Sequence, residues 1–231
     1  YYPEPAAEIQ TALNQIELHF LNAELPKLLS FIKSASQHIR HIVHSLQNFS
    51  YLDESEKKAA DIHDTIDSAT LVLESRLKGY TEGESMTLVK KYGRLPLVEC
   101  YVEPLKQVFI NILTNAIDAL EERMKNWKST VETKQDQNPQ DEHPSLVIRI
   151  ETQMSDSLTD VVIRVSDNGS GITDKVRQRI FEPFFSTKPI SKRAGLGLFI
   201  SYQIVVEKHG GQLDCISTLG EGTEFIIKIP L

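Results

Sequence analysis

The chain has 231 residues, of which 40% are hydrophobic and 25% are charged, so it can bury one large core or two small ones. Its formal net charge of −7 argues against nucleic-acid and anionic-membrane surfaces, since both reward clustered Lys and Arg. Cys100 and Cys215 lie far apart without a Cys-x-x-Cys pair or neighbouring histidines, which argues against a disulfide framework and a zinc site. We therefore expect a cytoplasmic protein.

The N-terminal segment is predicted to be helical. Apolar residues recur at helical spacing from about Glu8 to Phe49, and Pro26 fits the first turn of a second helix better than the middle of one long helix. That second helix keeps apolar residues three and four apart, which is typical of a helical hairpin or a dimeric bundle. We expect residues 1–55 to form a partial dimerisation segment of a homodimer. No apolar run is long enough for a membrane span, so no membrane contact is expected within this chain.

Residues 56–231 are predicted to form a second domain, which begins at a polar, charged junction. Asp61 can cap its first helix, a strand follows from Met86 to Tyr92, and another helix runs from Pro104 to Met124. Residues 126–144 are polar and poor in apolar side chains, which predicts a mobile surface loop. The remaining pattern predicts two paired strands, a helix and a closing strand pair, at residues 146–152, 160–166, 198–208, 212–217 and 223–229.

The helix after Pro104 carries polar side chains beside its apolar stripe. Gln107, Asn111, Asn115 and Asp118 recur three or four residues apart and therefore share one face. Asparagine is a mediocre helix former, so two of them one turn apart need a reason. One explanation is that both asparagines face solvent. The other is that their neutral carbonyl oxygens ligate magnesium and orient phosphate oxygens.

Two glycine-rich stretches lie between the predicted strands and the next helix. The sequence DNGSG, residues 167–171, comes directly after an alternating strand and suits a type I or II turn. The sequence GLGL, residues 195–198, opens a helix, where glycine either permits close packing or exposes N–H groups that bind an anion. Each stretch alone is compatible with a purely structural role.

The segment between them, IFEPFFSTKPISKRA at residues 180–194, combines phenylalanines with a basic stretch. In one interpretation the phenylalanines are core residues and the basic stretch is a solvated loop. In the other interpretation the phenylalanines anchor a hinged lid, which brings Lys188, Lys192 or Arg193 close to a phosphate.

The order of these stretches resembles the ATP-binding domain of sensor histidine kinases. The asparagine-bearing helix, DNGSG, FEPFF, GLGLFIS and the final GTEF strand look like the N, G1, F and G2 boxes and the C-terminal strand of that family, over residues 61–231. The resemblance implies an α+β fold. It is a two-layer α/β sandwich of the Bergerat type, with a mixed sheet packed on helices, preceded by the helical segment.

The resemblance also implies roles for individual residues. Asp167 would accept a hydrogen bond from the adenine amino group, and Thr223 would support Asp167 or a water beneath the purine. Asn115 would hold magnesium, and Asn111, Asn115 and Lys188 would form the catalytic set. The expected ATP contacts are Asn111, Asn115, Asp118, Asp167, Gly169, Gly171, Ile172, Phe185, Lys188, Gly195, Leu196, Gly197, Leu198 and Thr223.

An ATP lid is implied at residues 182–196. Gly195 and Gly197 would present backbone N–H groups to the phosphates as this lid closes. Phe184 and Phe185 would form the hinge packing that couples the lid to the sheet.

By the same resemblance the protein is an ATP-dependent histidine kinase. It would transfer the γ-phosphoryl of ATP to a histidine of a dimerisation domain, for relay to an aspartate of a response-regulator receiver domain. None of the 7 histidines has the acidic neighbour and the following proline of that family's acceptor motif. The chain starts at Tyr1 rather than Met, so we expect a piece whose acceptor histidine lies upstream. Such a piece would bind Mg-ATP without autophosphorylation.

Two alternatives remain open. The first is an ATPase of the same superfamily, of the chaperone, mismatch-repair or topoisomerase type. Such enzymes activate water with a glutamate on the asparagine-bearing helix, where this chain has Gln107 one turn before Asn111. The second is a non-catalytic dimeric scaffold, against which the intact set of Asn, Asp and Gly residues argues.

Overall fold

The computed structural model describes residues 22, 24–33, 35–36, 39, 56–78, 86–133, 144–188 and 195–231. The strands are β1 (Lys58–Ala60), β2 (Thr87–Tyr92), β3 (Val98–Cys100), β4 (Val147–Met154), β5 (Asp160–Asp167), β6 (Gln212–Thr218) and β7 (Gly222–Pro230). The helices are α1 (Ile62–Val72), α2 (Glu74–Leu77), α3 (Val102–Thr133), α4 (Asp174–Arg177) and α5 (Gly197–Tyr202), which continues as a π-helical stretch, Gln203–Lys208.

A mixed five-stranded sheet forms one layer, in the order β2-β4-β5-β7-β6. Strand β2 runs parallel to β4, and the other neighbours are antiparallel. In this register Asp167 at the end of β5 pairs with Ile148 of β4 on one side and Thr223 of β7 on the other. The DNGSG stretch therefore leaves the sheet from its central strand. Strands β1 and β3, which were not predicted, form a separate antiparallel pair.

Helices form the second layer, and one apolar core lies between the layers. Alternate residues of β4 and β5, such as Ile148, Ile150 and Ile163, are fully buried, as are Ile112 and Ile117 of α3. Each such side chain contributes about 1.5–3 kcal/mol relative to leaving it in water. The predicted α+β fold, a two-layer sandwich with a mixed sheet on helices, is confirmed.

Helix α3 is longer than the sequence predicted. Residues 126–133 were expected to belong to a surface loop, but they continue the helix to Thr133. Trp127 packs against the core one turn beyond Met124, so the apolar face extends past the predicted end. The hydroxyls of Ser129 and Thr130 donate to the carbonyls four residues earlier, which accommodates polar residues in the helix. The rest of the predicted loop, except Pro144, lies outside the described residues.

The other predicted elements of the second domain are present. Asp61 caps α1, since its carboxylate accepts a hydrogen bond from the His63 N–H at 2.7 Å. The predicted helix at 198–208 is present, but its second half is π-helical.

Only part of the predicted dimerisation segment can be compared. Residues 24–33, 35–36 and 39 are helical, in agreement with the predicted second helix, and residue 22, which precedes it, is helical as well. The predicted first helix and the last residues of the segment lie outside the described residues. In the part of the chain that the structure describes, no helix has both the length and the hydropathy that a membrane crossing requires.

Candidate functional site

A cleft of about 690 Å³ lies between α3, the end of β5 and the two described ends of the predicted lid. This volume falls in the usual range for small-molecule sites. Most of the predicted site residues line it: Asn115, Asp167, Gly171, Ile172, Phe185, Lys188, Gly195, Leu196, Gly197, Leu198 and Thr223. Asn111, Asp118 and Gly169 are not among the lining residues.

Asp167 forms the floor of this cleft at the end of β5. Burial raises the pKa of its carboxyl to about 6, although hydrogen bonds from the backbone N–H groups of Gly169 and Thr223 act in the opposite direction. The Gly169 N–H lies 2.8 Å from Asp167 Oδ1. A carboxylate held from behind by backbone donors keeps its remaining lone pairs for a donor in the cleft.

The two glycines of the turn each meet a different steric demand. Gly171 has a φ of +63°, and a Cβ there would lie 2.1 Å from the Thr218 carbonyl oxygen. A Cβ on Gly169 would lie 2.6 Å from the Cβ of Ala119 on α3. Both glycines thus let the turn lie tightly between α3 and β6. Gly169 is a packing residue behind Asp167, while Gly171 faces the cleft.

Ser217 of β6 organises this end of the cleft and was missed by the sequence interpretation. Its Oγ accepts from the Ile172 N–H at 3.0 Å, donates to the Gly222 carbonyl at 2.7 Å, and lies 3.0 Å from Thr223 Oγ1. Because its single proton goes to Gly222, the Thr223 hydroxyl must donate to Ser217. Thr223 can then act towards the cleft only as an acceptor, while its backbone N–H supports Asp167.

The two asparagines of α3 have different surroundings. Asn115 lines the cleft. Asn111 accepts from Gln107 at 2.9 Å and donates to the Gly197 carbonyl at 3.0 Å. Its amide therefore ties α3 to the first turn of α5, beneath the GLGL stretch. The predicted contact of Asn111 with phosphate stays a prediction. The contact that the structure shows is the hydrogen bond to the Gly197 carbonyl, which positions α5.

Charged side chains meet at the lid end of the cleft. The carboxylate of Asp118 accepts from Arg76 of α2 at its Oδ1, 2.8 Å away, and from Lys188 of the lid at its Oδ2. Arg76 also donates to Glu121 at 2.7 Å. Asp118 thus lies behind the cleft wall, bound to two cations. Sequence spacing placed Asp118 beside the asparagines but gave no sign of Arg76, which lies on another helix.

Of the two phenylalanines predicted to form the hinge packing, Phe185 is packed and Phe184 is not. Phe185 lines the cleft, packs against the core and lies beneath the Arg179 guanidinium, 4.4 Å from the ring centroid. Phe184 has a φ of +63° and is 62% exposed, so it does not contribute the expected packing. The reversed backbone at this residue turns its side chain outwards. A Cβ on Gly195 would lie 2.6 Å from the Phe184 carbonyl carbon, so the two ends of the lid touch. Lys192 and Arg193 lie outside the described residues.

The donor set of the cleft fits a magnesium ion that arrives with a phosphate chain. Such ions keep several waters and take only one or two protein oxygens beside the phosphates. Asn115, which lines the cleft, carries an amide oxygen of this kind. Among the described residues no group of three or more His, Cys, Asp or Glu forms a metal cage.

The residues that build this cleft match a known protein family. The model of the histidine kinase-, DNA gyrase B- and HSP90-like ATPases matches residues 101–231, more than half of the chain. The chain belongs to this ATPase family. The match covers α3, both glycine stretches and the closing strands that build the cleft.

The similar proteins within this ATPase family include sensor kinases and histidine kinases. The sensor kinase CckA of Brucella abortus (strain 2308) is 32% identical over 200 residues, 86% of this chain and 20% of that protein. Sporulation kinase E of Bacillus subtilis (strain 168) is 33% identical over 137 residues, 59% of this chain and 15% of that protein. The solved catalytic domain of histidine kinase ThkA has a TM-score of 0.56 and 25% identity, covering 76% of this chain and 95% of that one.

These matches confirm the resemblance drawn from the motifs: the domain is an ATP-binding domain of the sensor histidine kinase type. The chain spans a fifth or less of the length of these two curated relatives.

Proposed function

We propose that this chain is the catalytic portion of a sensor histidine kinase, which binds Mg-ATP and directs its γ-phosphoryl group to a histidine. The observation that carries the proposal is the half-buried carboxylate of Asp167 on the floor of the cleft. Its pKa is raised by burial, while backbone N–H groups hold its orientation. A half-buried acceptor of this kind fits the exocyclic amino group of adenine, in a charge-assisted hydrogen bond.

The base end would hold the purine between the turn and the sheet. Ile172, packed against the core, supplies an apolar surface beside Gly171. Thr223, whose hydroxyl proton is directed to Ser217, is left to accept from the base or from a bridging water.

The phosphate chain would extend from this pocket toward Asn115 and the lid. Lys188 brings a positive charge to that end, and the backbone of residues 195–198 lines the same wall. Magnesium, when bound, neutralises the developing charge on the phosphate oxygens. Asn115 would hold that ion through its amide oxygen, and Asn111 would keep the first turn of α5 in place.

In the proposed transfer, a neutral imidazole nitrogen attacks the γ-phosphorus, the bond to the β,γ-bridging oxygen breaks, and ADP leaves. The catalysis required of the protein is mainly positioning and charge stabilisation. The phosphohistidine would then donate its phosphoryl to an aspartate of a response-regulator receiver domain.

The two described histidines are poor acceptors. His209 is 7% exposed, and its Nδ1 and Nε2 are bonded to the Ile204 carbonyl and the Tyr101 N–H. The Nε2 of His63 lies 2.9 Å from the Thr152 hydroxyl, and its ring stacks on Tyr92. The other five, His19, His38, His41, His44 and His143, lack the acceptor motif. We therefore propose an acceptor outside these 231 residues.

The helical segment supports the proposal of a homodimer. Leu25, Leu28, Leu29 and Ile32 recur at helical spacing and are each more than half exposed. Such a face is suited to burial in a bundle of helices. Dimerisation, the response-regulator partner and a cytoplasmic location are part of this proposal.

Incubation with γ-labelled ATP and magnesium tests the assignment. The 231-residue chain should bind Mg-ATP saturably, release phosphate no faster than background, and carry no acid-labile label on histidine. Steady phosphate release well above background would instead favour the ATPase alternative. Stoichiometric acid-labile label on His19 or His38 would contradict the external acceptor, and absence of nucleotide binding would leave only the scaffold.

A further inference from the structure

Three segments distant in sequence meet through a single carboxylate at the lid end of the cleft. Asp118 of α3 accepts from Arg76 at Oδ1 and from Lys188 at Oδ2. Its side chain is only 14% exposed, against 26% for Arg76 and 29% for Lys188. Ion pairs shielded to this degree are screened less by salt than pairs on the open surface.

Lys188 connects this cluster to the cleft. Lys188 lines the cleft, whereas Asp118 lies behind the wall, one turn of α3 beyond Asn115. The carboxylate therefore draws the lid ammonium toward α3. A phosphate chain in the cleft would compete with Asp118 for the same ammonium.

Arg76 modulates that competition. It shares the Asp118 carboxylate with Lys188 and also binds Glu121 at 2.7 Å. A carboxylate that already faces a guanidinium attracts a second cation less strongly than an uncompensated one. Removal of Arg76 should therefore tighten the hold of Asp118 on Lys188, whereas neutralising Asp118 should release it.

We propose that Asp118 and Arg76 are positioning residues that act through Lys188 and set how strongly the cleft prefers a nucleoside triphosphate over a monophosphate. This inference rests on the proposed nucleotide site. It gives Asp118 a different task from direct contact with the nucleotide, and it adds Arg76 to the site.

The test is calorimetric titration of the whole chain with the magnesium complex of a non-hydrolysable ATP analogue and, separately, with AMP. Asp118→Asn should raise the affinity for the triphosphate about three- to tenfold and change that for AMP less than about twofold. Arg76→Gln should lower the affinity for the triphosphate about two- to threefold, again with little effect on AMP. Opposite signs for two neighbours of one cluster are not expected from general destabilisation.

Two controls separate positioning from bulk charge. Glu122→Gln removes the same charge from the same helix at a residue that lines the cleft. It should change the ratio of triphosphate to AMP affinity less than about twofold. In a Lys188→Met background both Asp118→Asn and Arg76→Gln should lose their effects on that ratio, since the group through which they act is gone.

Equal effects of Asp118→Asn and Glu122→Gln would overturn the inference, as would effects that persist without Lys188. Thermal unfolding of each variant confirms its fold. If Asp118→Asn does not fold, two results for Arg76→Gln still test the inference. They are its lowered affinity for the triphosphate and the loss of that effect in the Lys188→Met background. A wild-type chain that binds neither nucleotide would refute the proposed function and this inference together. Wild-type binding with unchanged ratios in all variants would refute the inference alone.

Discussion

The two ends of the cleft are built in different ways. At the base end, Asp167, Ser217 and Thr223 lie on adjacent strand ends and are linked by hydrogen bonds within the sheet. At the lid end, Arg76, Asp118 and Lys188 come from two helices and a loop and are linked by charge.

This difference separates what folding fixes from what a ligand can rearrange. Hydrogen bonds between paired strands have one geometry, so the base end can select by the placement of donors and acceptors. The ion pairs of the lid end join side chains of separate segments, so an incoming phosphate can compete with Asp118 for Lys188. We expect substitutions at the base end to affect stability and binding together, and those at the lid end to affect mainly phosphate preference.

The largest effect is expected at Gly171 of the base end. Gly171 and Gly210 both have a positive φ, of +63° and +65°. A Cβ added to Gly171 would overlap the Thr218 carbonyl, whereas a Cβ added to Gly210 would meet no atom within 4 Å. Gly210→Ala should lower the free energy of unfolding by about 1–2 kcal/mol, the cost of the backbone conformation. Gly171→Ala should lower it by about 2–5 kcal/mol, because the turn must also move to relieve the overlap with the Thr218 carbonyl. Urea unfolding measures both, and equal losses would show that the turn is not rigid.

A smaller effect is expected at Ser217. Ser217→Ala removes a partner from Ile172, Gly222 and Thr223 at once, so it should lower the free energy of unfolding by about 1–3 kcal/mol and weaken Mg-ATP binding. Ser186 is the matched control, since it is exposed, lines the cleft and, among the described residues, forms hydrogen bonds only with Lys188. Ser186→Ala should change stability by less than about 0.5 kcal/mol. Similar losses in the two variants would remove the distinction between the ends.

Acidity should affect the base end through Asp167, in opposite senses for stability and binding. Burial raises the pKa of Asp167 from 3.8 to about 6, so its stabilising contribution is full below about 3.8 and is lost as the pH rises through 6. Binding of Mg-ADP needs the ionised acceptor and should weaken about five- to tenfold from pH 7 to pH 5. Asp167→Asn should lack both changes. Dividing the wild-type affinity by the variant affinity at each pH separates the effect of Asp167 on binding from titration of the phosphate. A ratio independent of pH would contradict the assignment.

The sequence predicted the parts of the site that follow each other along the chain. Asp167 ends an alternating strand, so the turn after β5 could be expected from the pattern, whereas its place beside Thr223 was implied by the resemblance to the histidine kinase family. The apolar stripe of α3 likewise marked its buried face, although the helix continues past Met124 because Trp127 is still packed on the core.

Contacts between distant residues could not be predicted in the same way. Ser217 acts on Ile172 and Arg76 acts on Asp118, and each pair is joined only by the fold. Ser217 has no special sequence context, since its role depends on the register of β6 with β7. The resemblance assigned Phe184 to the hinge packing, but this residue has a positive φ and its side chain is exposed.

We propose above all that Asp167 binds the amino group of adenine. The most direct test titrates wild type and Asp167→Asn at neutral pH with ATP and with purine riboside triphosphate, which lacks that amino group. Wild type should prefer ATP about 10- to 100-fold, the value of one charge-assisted hydrogen bond, and the preference should fall below about fivefold in the variant. The same preference in both proteins would contradict the assignment of Asp167.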